Sequence, residues 1–91
     1  MFLEYEFDLN PEVAHREVEG QWLLLTPNDD VLYTLNGTGR VVWEMLLRRS
    51  PVGEIAAHLA TTYGISIDDA RRDTGAFMAE LERLGVVTGR R

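Results

Sequence analysis

The side chains that could do chemistry in this sequence are few. There is no cysteine among the 91 residues, which removes disulfides, thiolate nucleophiles, iron–sulfur clusters and cysteine zinc sites together. Every basic side chain is arginine, so neither a lysine Schiff base nor a phosphate-loop lysine can form. The histidines are His15 and His58, too few for a histidine metal site. His15 alternates with Ala14 and Arg16 on an extended stretch. His58 falls between the apolar positions of a helix, on its flank or exposed face. A nucleophile–base pair needs a hydroxyl beside a histidine, and Ser50 and Ser66 sit where helix caps are needed. Carboxylates pair at Asp29-Asp30, Asp68-Asp69 and Glu80/Glu82. The first pair makes a turn. The second starts a helix, where the dipole favours acids. The third lies on a solvated face, so none looks like a buried acid/base pair. Gly37 and Gly39 are only a fragment of a phosphate-binding loop. The expectation is no catalytic residue, no metal and no cofactor.

The elements that position these residues change period along the chain. Tyr5, Phe7 and Leu9 interleave with Glu4, Glu6 and Asp8, a period of two that fits a strand or extended arm. Asn10-Pro11 breaks it. Val13 to Val18 is a second extended stretch, closed by the turn signal Glu19-Gly20. Gln21 to Leu25 reads as a buried strand, the Pro27 to Asp30 segment as a turn, and Val31 to Leu35 as a β-branched and aromatic strand. Helical spacing then takes over. Asn36-Gly37-Thr38 offers N-cap residues, Val42, Trp43, Leu46 and Leu47 make one stripe, and Arg48-Arg49 suit a helix C-terminus. Ser50-Pro51 reads as an N-cap followed by proline at the first helical position. Val52, Ile55, Ala56, Leu59, Ala60 and Tyr63 form the second stripe, stopped by Gly64. Ser66 and Asp69 make a weakened capping box. Ala70, Thr74, Phe77, Met78, Leu81 and Leu84 form the third stripe, ended by Gly85. Val86-Val87 is an apolar tail that can pack back, and Thr88 to Arg91 reads as a fraying end.

This order predicts an α+β domain over residues 11–88: a winged helix-turn-helix-like arrangement with a three-stranded antiparallel β-meander followed by three α-helices. Residues 1–10 form an extended arm or extra strand. Apolar residues at 45% argue against disorder. No apolar run approaches membrane-spanning length. Met1 to Asp8 carries acids where a secretory signal needs bases. The expected location is cytoplasmic.

Two functional classes compete. A helix-turn-helix suggests a DNA-binding regulator reading with the third helix. That helix, however, carries Asp68, Asp69, Asp73, Glu80 and Glu82 against Arg71, Arg72 and Arg83, and the chain has a net charge of −6. Phosphate contacts supply much of DNA affinity, so this surface argues against nucleic acid. The other class is peptide binding. Val31 to Leu35 has no charge or proline to protect it as a sheet edge, and an uncharged edge beside an amphipathic helix suits β-augmentation. On spacing alone this stretch can equally be a covered strand, or pair with the Met1 to Leu9 segment.

Gly20 to Leu25, Tyr33 to Asn36 and Gly39 to Trp43 together resemble the PqqD-like family. So do Glu54-Ile55 with Leu59 and Tyr63, and Asp73 followed by Phe77, Leu81 and Gly85-Val86-Val87. The resemblance spans roughly residues 11–87 as many weak positions. It implies a recognition element for ribosomally synthesised, post-translationally modified peptides. It is most similar to the stand-alone leader-binding partner of lasso peptide pathways, which delivers the precursor to a leader peptidase and a modifying enzyme. The implied site is a leader peptide added to the third strand (Val31, Leu32, Tyr33, Thr34, Leu35) in a cleft with the third helix (Asp73, Thr74, Phe77, Met78, Leu81). Of the two sets on this strand, Val31, Tyr33 and Leu35 or Leu32 and Thr34, one packs into the core and the other lines or flanks the groove. Phe77, Met78 and Leu81 read as core more readily than groove, and Asp73 and Thr74 as groove rim. Trp43 reads as core and Trp22 as half exposed. Arg48-Arg49-Ser50 stands where relatives often have a glycine-containing turn, and Gly75 sits mid-helix, at a cost of roughly 1 kcal/mol relative to alanine. Residues 1–9 lie outside the resemblance. They could add a strand, mediate a domain-swapped dimer instead of a monomer, or fill the groove when no peptide is bound.

Overall fold

A computed structural model of the chain describes residues 6–27 and 31–90. Strands β1 (Glu6–Leu9), β2 (Ala14–Val18), β3 (Gln21–Leu25) and β4 (Leu32–Leu35) precede helices α1 (Gly37–Leu47), α2 (Val52–Tyr63) and α3 (Ile67–Arg83), and β5 (Val87–Arg90) ends the order. β2, β3 and β4 form an antiparallel sheet in that order. The β2–β3 hairpin turns on Glu19 (φ 52°) and Gly20 (φ 82°), the pair of positive φ values whose twist matches the flanking strands. Across the longer β3–β4 connection the Thr26 amide donates to the Val31 carbonyl at 3.0 Å. The Val31 amide donates to the buried Thr26 hydroxyl at 3.2 Å.

Helix ends follow local chemistry, with three departures from the sequence expectation. Asn36 stands at the α1 N-cap position, but its side chain makes no capping hydrogen bond. Arg48 and Arg49 lie past the last turn of α1: Arg48 is its C-cap, and Arg49 has φ 62°. The amides of Arg49 and Ser50 donate back to Leu46 and Met45 carbonyls, so backbone bonds, not side-chain charge, close this helix. Ser50 does not cap α2 either. Pro51 is the N-cap and its carbonyl accepts from Glu54 and Ile55. Gly64 ends α2 in the left-handed conformation at φ 66°, which glycine reaches without strain. The Ser66 hydroxyl accepts from the Asp69 amide at 3.0 Å and caps α3.

The C-terminal expectation needs correction. Thr88 to Arg90 do not fray. They continue Val87 into β5, which pairs antiparallel with β1, Phe7 opposite Gly89 and Leu9 opposite Val87. Asn10 locks this ribbon: its amide donates to the Val86 carbonyl and its side-chain nitrogen to the Gly85 carbonyl, both at 2.9 Å. Residues 6–9 are therefore committed to β5 and not to a groove on β4; residues 1–5 lie outside the described residues.

The core lies where the inner sheet face, the helices and the β1–β5 ribbon meet. Trp43, Val52, Ile55, Ala56, Ala70, Met78 and Val86 are fully buried within it. His15 and Trp22 of the sheet and Trp43 of α1 form an aromatic cluster, with His15 5.7 Å from Trp22 and 5.6 Å from Trp43 between ring centroids. Trp22 donates to Glu44 at 3.0 Å and Arg40 pairs with Glu44 at 3.2 Å, which pins α1 to the sheet. Of the two histidines, His15 packs on tryptophans, and His58 shares a hydrogen bond with the Thr62 hydroxyl at 3.2 Å on an exposed helix face.

Ile55→Ala should cost about 2–5 kcal/mol, because it opens a cavity at a fully buried core position. Leu32→Ala, at a residue 61% exposed, should stay within about 0.5 kcal/mol. Urea unfolding followed by circular dichroism measures both.

Candidate functional site

β4 pairs with β3 on one side, Leu25 opposite Leu32, Leu24 opposite Tyr33, Leu23 opposite Thr34 and Trp22 opposite Leu35. Its other edge has no strand partner among the described residues. Antiparallel pairs alternate between hydrogen-bonded and non-bonded. The Thr26–Val31 bond continues the same register, so Leu24/Tyr33 and Trp22/Leu35 are the bonded pairs. The N–H and C=O groups of Leu32 and Thr34 therefore point away from β3, along the free edge.

The side chains alternate too. Tyr33 and Leu35 are half-buried and turn inward, while Val31, Leu32 and Thr34 are exposed. Inside, Tyr33 and Leu35 meet α3 across a small cavity of about 70 Å³, closed by Leu24, Phe77, Leu81, Leu84 and Val86, with Thr26 and Glu80 also on its wall. A second cavity of about 190 Å³ continues along α3 and opens toward α1. Its wall is Thr38, Gly39, Val42, Leu59, Asp73, Thr74 and Phe77. Phe77, half-buried, belongs to both walls and divides the cleft.

Of the helix residues singled out from sequence, Phe77 and Leu81 line the first cavity, and Asp73, Thr74 and Phe77 the second. Met78 is fully buried and borders neither cavity. Thr74 is not an exposed rim residue: it is 1% exposed and forms part of the wall. Sequence reading missed the α1 side of the cleft. The available signal was Gly39, since a Cβ there would meet Leu35 at 3.5 Å and Phe77 at 3.7 Å, close enough to narrow the space. Leu84, the last residue of the third stripe, and Val86, from the apolar tail that packs back, also line the first cavity.

The arginines on α3 are already paired. Arg71 pairs with Asp68, Arg72 with Asp69 and Arg83 with Glu80. Arg83, hydrogen-bonded to Glu80 at 3.1 Å, holds the Glu80 carboxyl below the usual carboxylate range. The helix thus presents no unmatched basic stripe to a phosphate backbone. Among the described residues no group of histidines and carboxylates is placed to hold a metal ion, and no helix is long and apolar enough to cross a membrane.

The sequence profile of the family described as Coenzyme PQQ synthesis protein D (PqqD) matches residues 21–87, most of the chain and all of the β3–α3 framework. The chain belongs to the PqqD family. No curated protein matches this PqqD-family chain in sequence. Among solved structures it is similar to TbiB1 in complex with the TbiA(beta) leader peptide, at 18% identity and TM-score 0.83, covering 92% of this chain and 98% of that one. It is similar to a lasso peptide synthetase B1 complexed with the leader peptide, at 26% identity and TM-score 0.80, covering 90% and 96%. It is also similar to the PqqD truncation of Methylobacterium extorquens PqqCD, a functional stand-alone recognition element, at 24% identity and TM-score 0.70, covering 91% and 88%. The α+β architecture of a three-stranded antiparallel sheet followed by three helices is the shared PqqD-like fold.

Gly39→Ala should be tolerated and raise stability by about 0.5–1 kcal/mol, because glycine carries extra unfolded-state entropy and the new methyl meets ordinary van der Waals distances. Thermal melting checks this; a fall in melting temperature would mean that the α1–α3 gap has no slack.

Proposed function

We propose that this chain is a non-enzymatic adaptor that binds the leader peptide of a ribosomally synthesised precursor as an added strand on β4. It presents that precursor, in the cytoplasm, to a leader peptidase and a modifying enzyme of a lasso peptide pathway. The observation that carries the reading is the edge of β4, unpaired among the described residues, with an apolar cleft directly beside it. The family membership and the leader-bound solved relatives support it.

The division of labour follows from magnitudes. Main-chain bonds to the N–H and C=O of Leu32 and Thr34 contribute about 0.5–1.5 kcal/mol each. Ordering each extended peptide residue costs about 1–2 kcal/mol. Backbone pairing therefore sets direction and register but cannot by itself hold the peptide. Affinity comes from side chains entering the cleft, where burying one leucine or phenylalanine gains about 1.5–3 kcal/mol. The walls that receive them are Tyr33 and Leu35 from β4, with Phe77 and Leu81 from α3. Asp73 and Thr74 lie farther along the same helix face. Met78 supports the cleft from the core behind it.

Thr34→Pro tests this directly. Proline at an edge position removes an outward N–H without breaking a bond to β3. The variant should keep its circular dichroism spectrum and lose at least about tenfold in affinity for the leader peptide of a precursor encoded beside it, as loss of one bond plus steric obstruction demands. Fluorescence anisotropy reads the affinity, and unchanged binding by the folded variant contradicts strand addition at this edge.

A further inference from the structure

The sheet has an outer face, turned away from the helices, and part of it is apolar. There the register sets Ala14 opposite Leu25 and Leu25 opposite Leu32, one apolar row across β2, β3 and β4. Leu23 stands in the next row, between Arg16 and Thr34. Ala14, Arg16, Leu23, Leu25 and Leu32 line an open depression of about 310 Å³ on this face. Exposure along the apolar row rises toward the free edge, from 38% at Leu25 to 61% at Leu32. A side chain on a sheet face is ordinarily covered by its cross-strand neighbours. Leu32 has Leu25 on one side and, among the described residues, no strand on the other.

We propose that the outer face of β4 is a second recognition surface for the leader peptide, on which the Leu32 side chain selects an apolar leader residue. The inference rests on the leader-binding reading above and names what the other face of the bound strand recognises. The occupant follows from strand geometry. Successive side chains of a strand point to opposite faces, and residues side by side on paired strands share a face. Leader residues beside Tyr33 and Leu35 therefore turn toward the cleft, and those beside Leu32 and Thr34 turn outward, whichever way the leader runs. Beside Leu32, an aliphatic or aromatic side chain continues the Ala14–Leu25–Leu32 row and takes apolar surface out of water. A charged side chain there loses hydration against leucine and gains no partner, because β4 carries no charge. Leu32 then acts twice, its main chain fixing register and its side chain choosing the residue that sits in that register.

The test is a double-mutant cycle read by fluorescence anisotropy. The probe is a fluorescein-labelled leader peptide from the neighbouring precursor, with each residue replaced by alanine one at a time. Each peptide is titrated with the unsubstituted chain, Leu32→Ala and Leu32→Met, which all keep the main-chain groups that pair with it. Leu32→Ala should bind the parent peptide about fivefold more weakly, the upper end for one cross-strand pair. At one apolar leader position, alanine should cost about fivefold with the unsubstituted chain and less than about twofold with Leu32→Ala, the mark of direct contact. Leu32→Met, which keeps an apolar side chain, should retain the discrimination. Parent affinity unchanged in Leu32→Ala, a loss of the same size for every peptide, or coupling only to a charged leader residue would overturn the outer surface while leaving leader binding intact. Failure of the unsubstituted chain to bind the parent peptide would overturn both.

Discussion

One hydrogen bond sets the geometry on which the site depends. When the Thr26 amide binds the Val31 carbonyl, the whole β3–β4 ladder takes its phase. Tyr33 and Leu35 spend their main-chain groups on β3 and turn their side chains to the core. Leu32 and Thr34 are left with main-chain groups outward and side chains in solvent. A slip by one residue would invert both assignments at once, putting Leu32 and Thr34 into the cleft and Tyr33 and Leu35 outside. The buried Thr26 hydroxyl, taking the Val31 amide, holds that phase from the other side.

The two edges of the sheet are treated differently. β2, the opposite edge, carries His15, Arg16 and Glu17 and is exposed throughout. Charge of this kind discourages another strand from pairing. β4 reads Leu-Tyr-Thr-Leu and has none. Its neighbour α3 keeps its arginines on its own acids, and the cleft between them is walled mainly by apolar side chains. One edge is closed by its sequence and the other is left open beside an apolar wall.

Much of this was legible in the sequence. The α2 and α3 stripes, the Gly64 stop and the Ser66 cap follow from local rules, and the structure reproduces them. The β-meander was legible too, with its last strand beginning at Leu32 and not Val31. β5 was not, because Val-Thr-Gly-Arg is short and contains glycine, and its partner β1 lies at the far end of the chain. Nor could spacing separate Thr74 from Met78. Both belong to one helical stripe, yet one walls a cavity and the other sits behind it. That difference depends on where α1 passes, and so on Gly39, whose absent Cβ is invisible to a periodicity argument. The inward face of β4 was undecidable for a related reason: alternation gives two sets and only the pairing partner selects one.

The central claim is that a peptide pairs with the outward groups of Leu32 and Thr34. Amide hydrogen exchange by NMR, with and without saturating leader peptide, tests it residue by residue. The account predicts that Tyr33 and Leu35 are protected in both states, and that Leu32 and Thr34 exchange rapidly alone and become protected when the peptide is bound. Leader binding that leaves the Leu32 and Thr34 amides as exchangeable as before would contradict it.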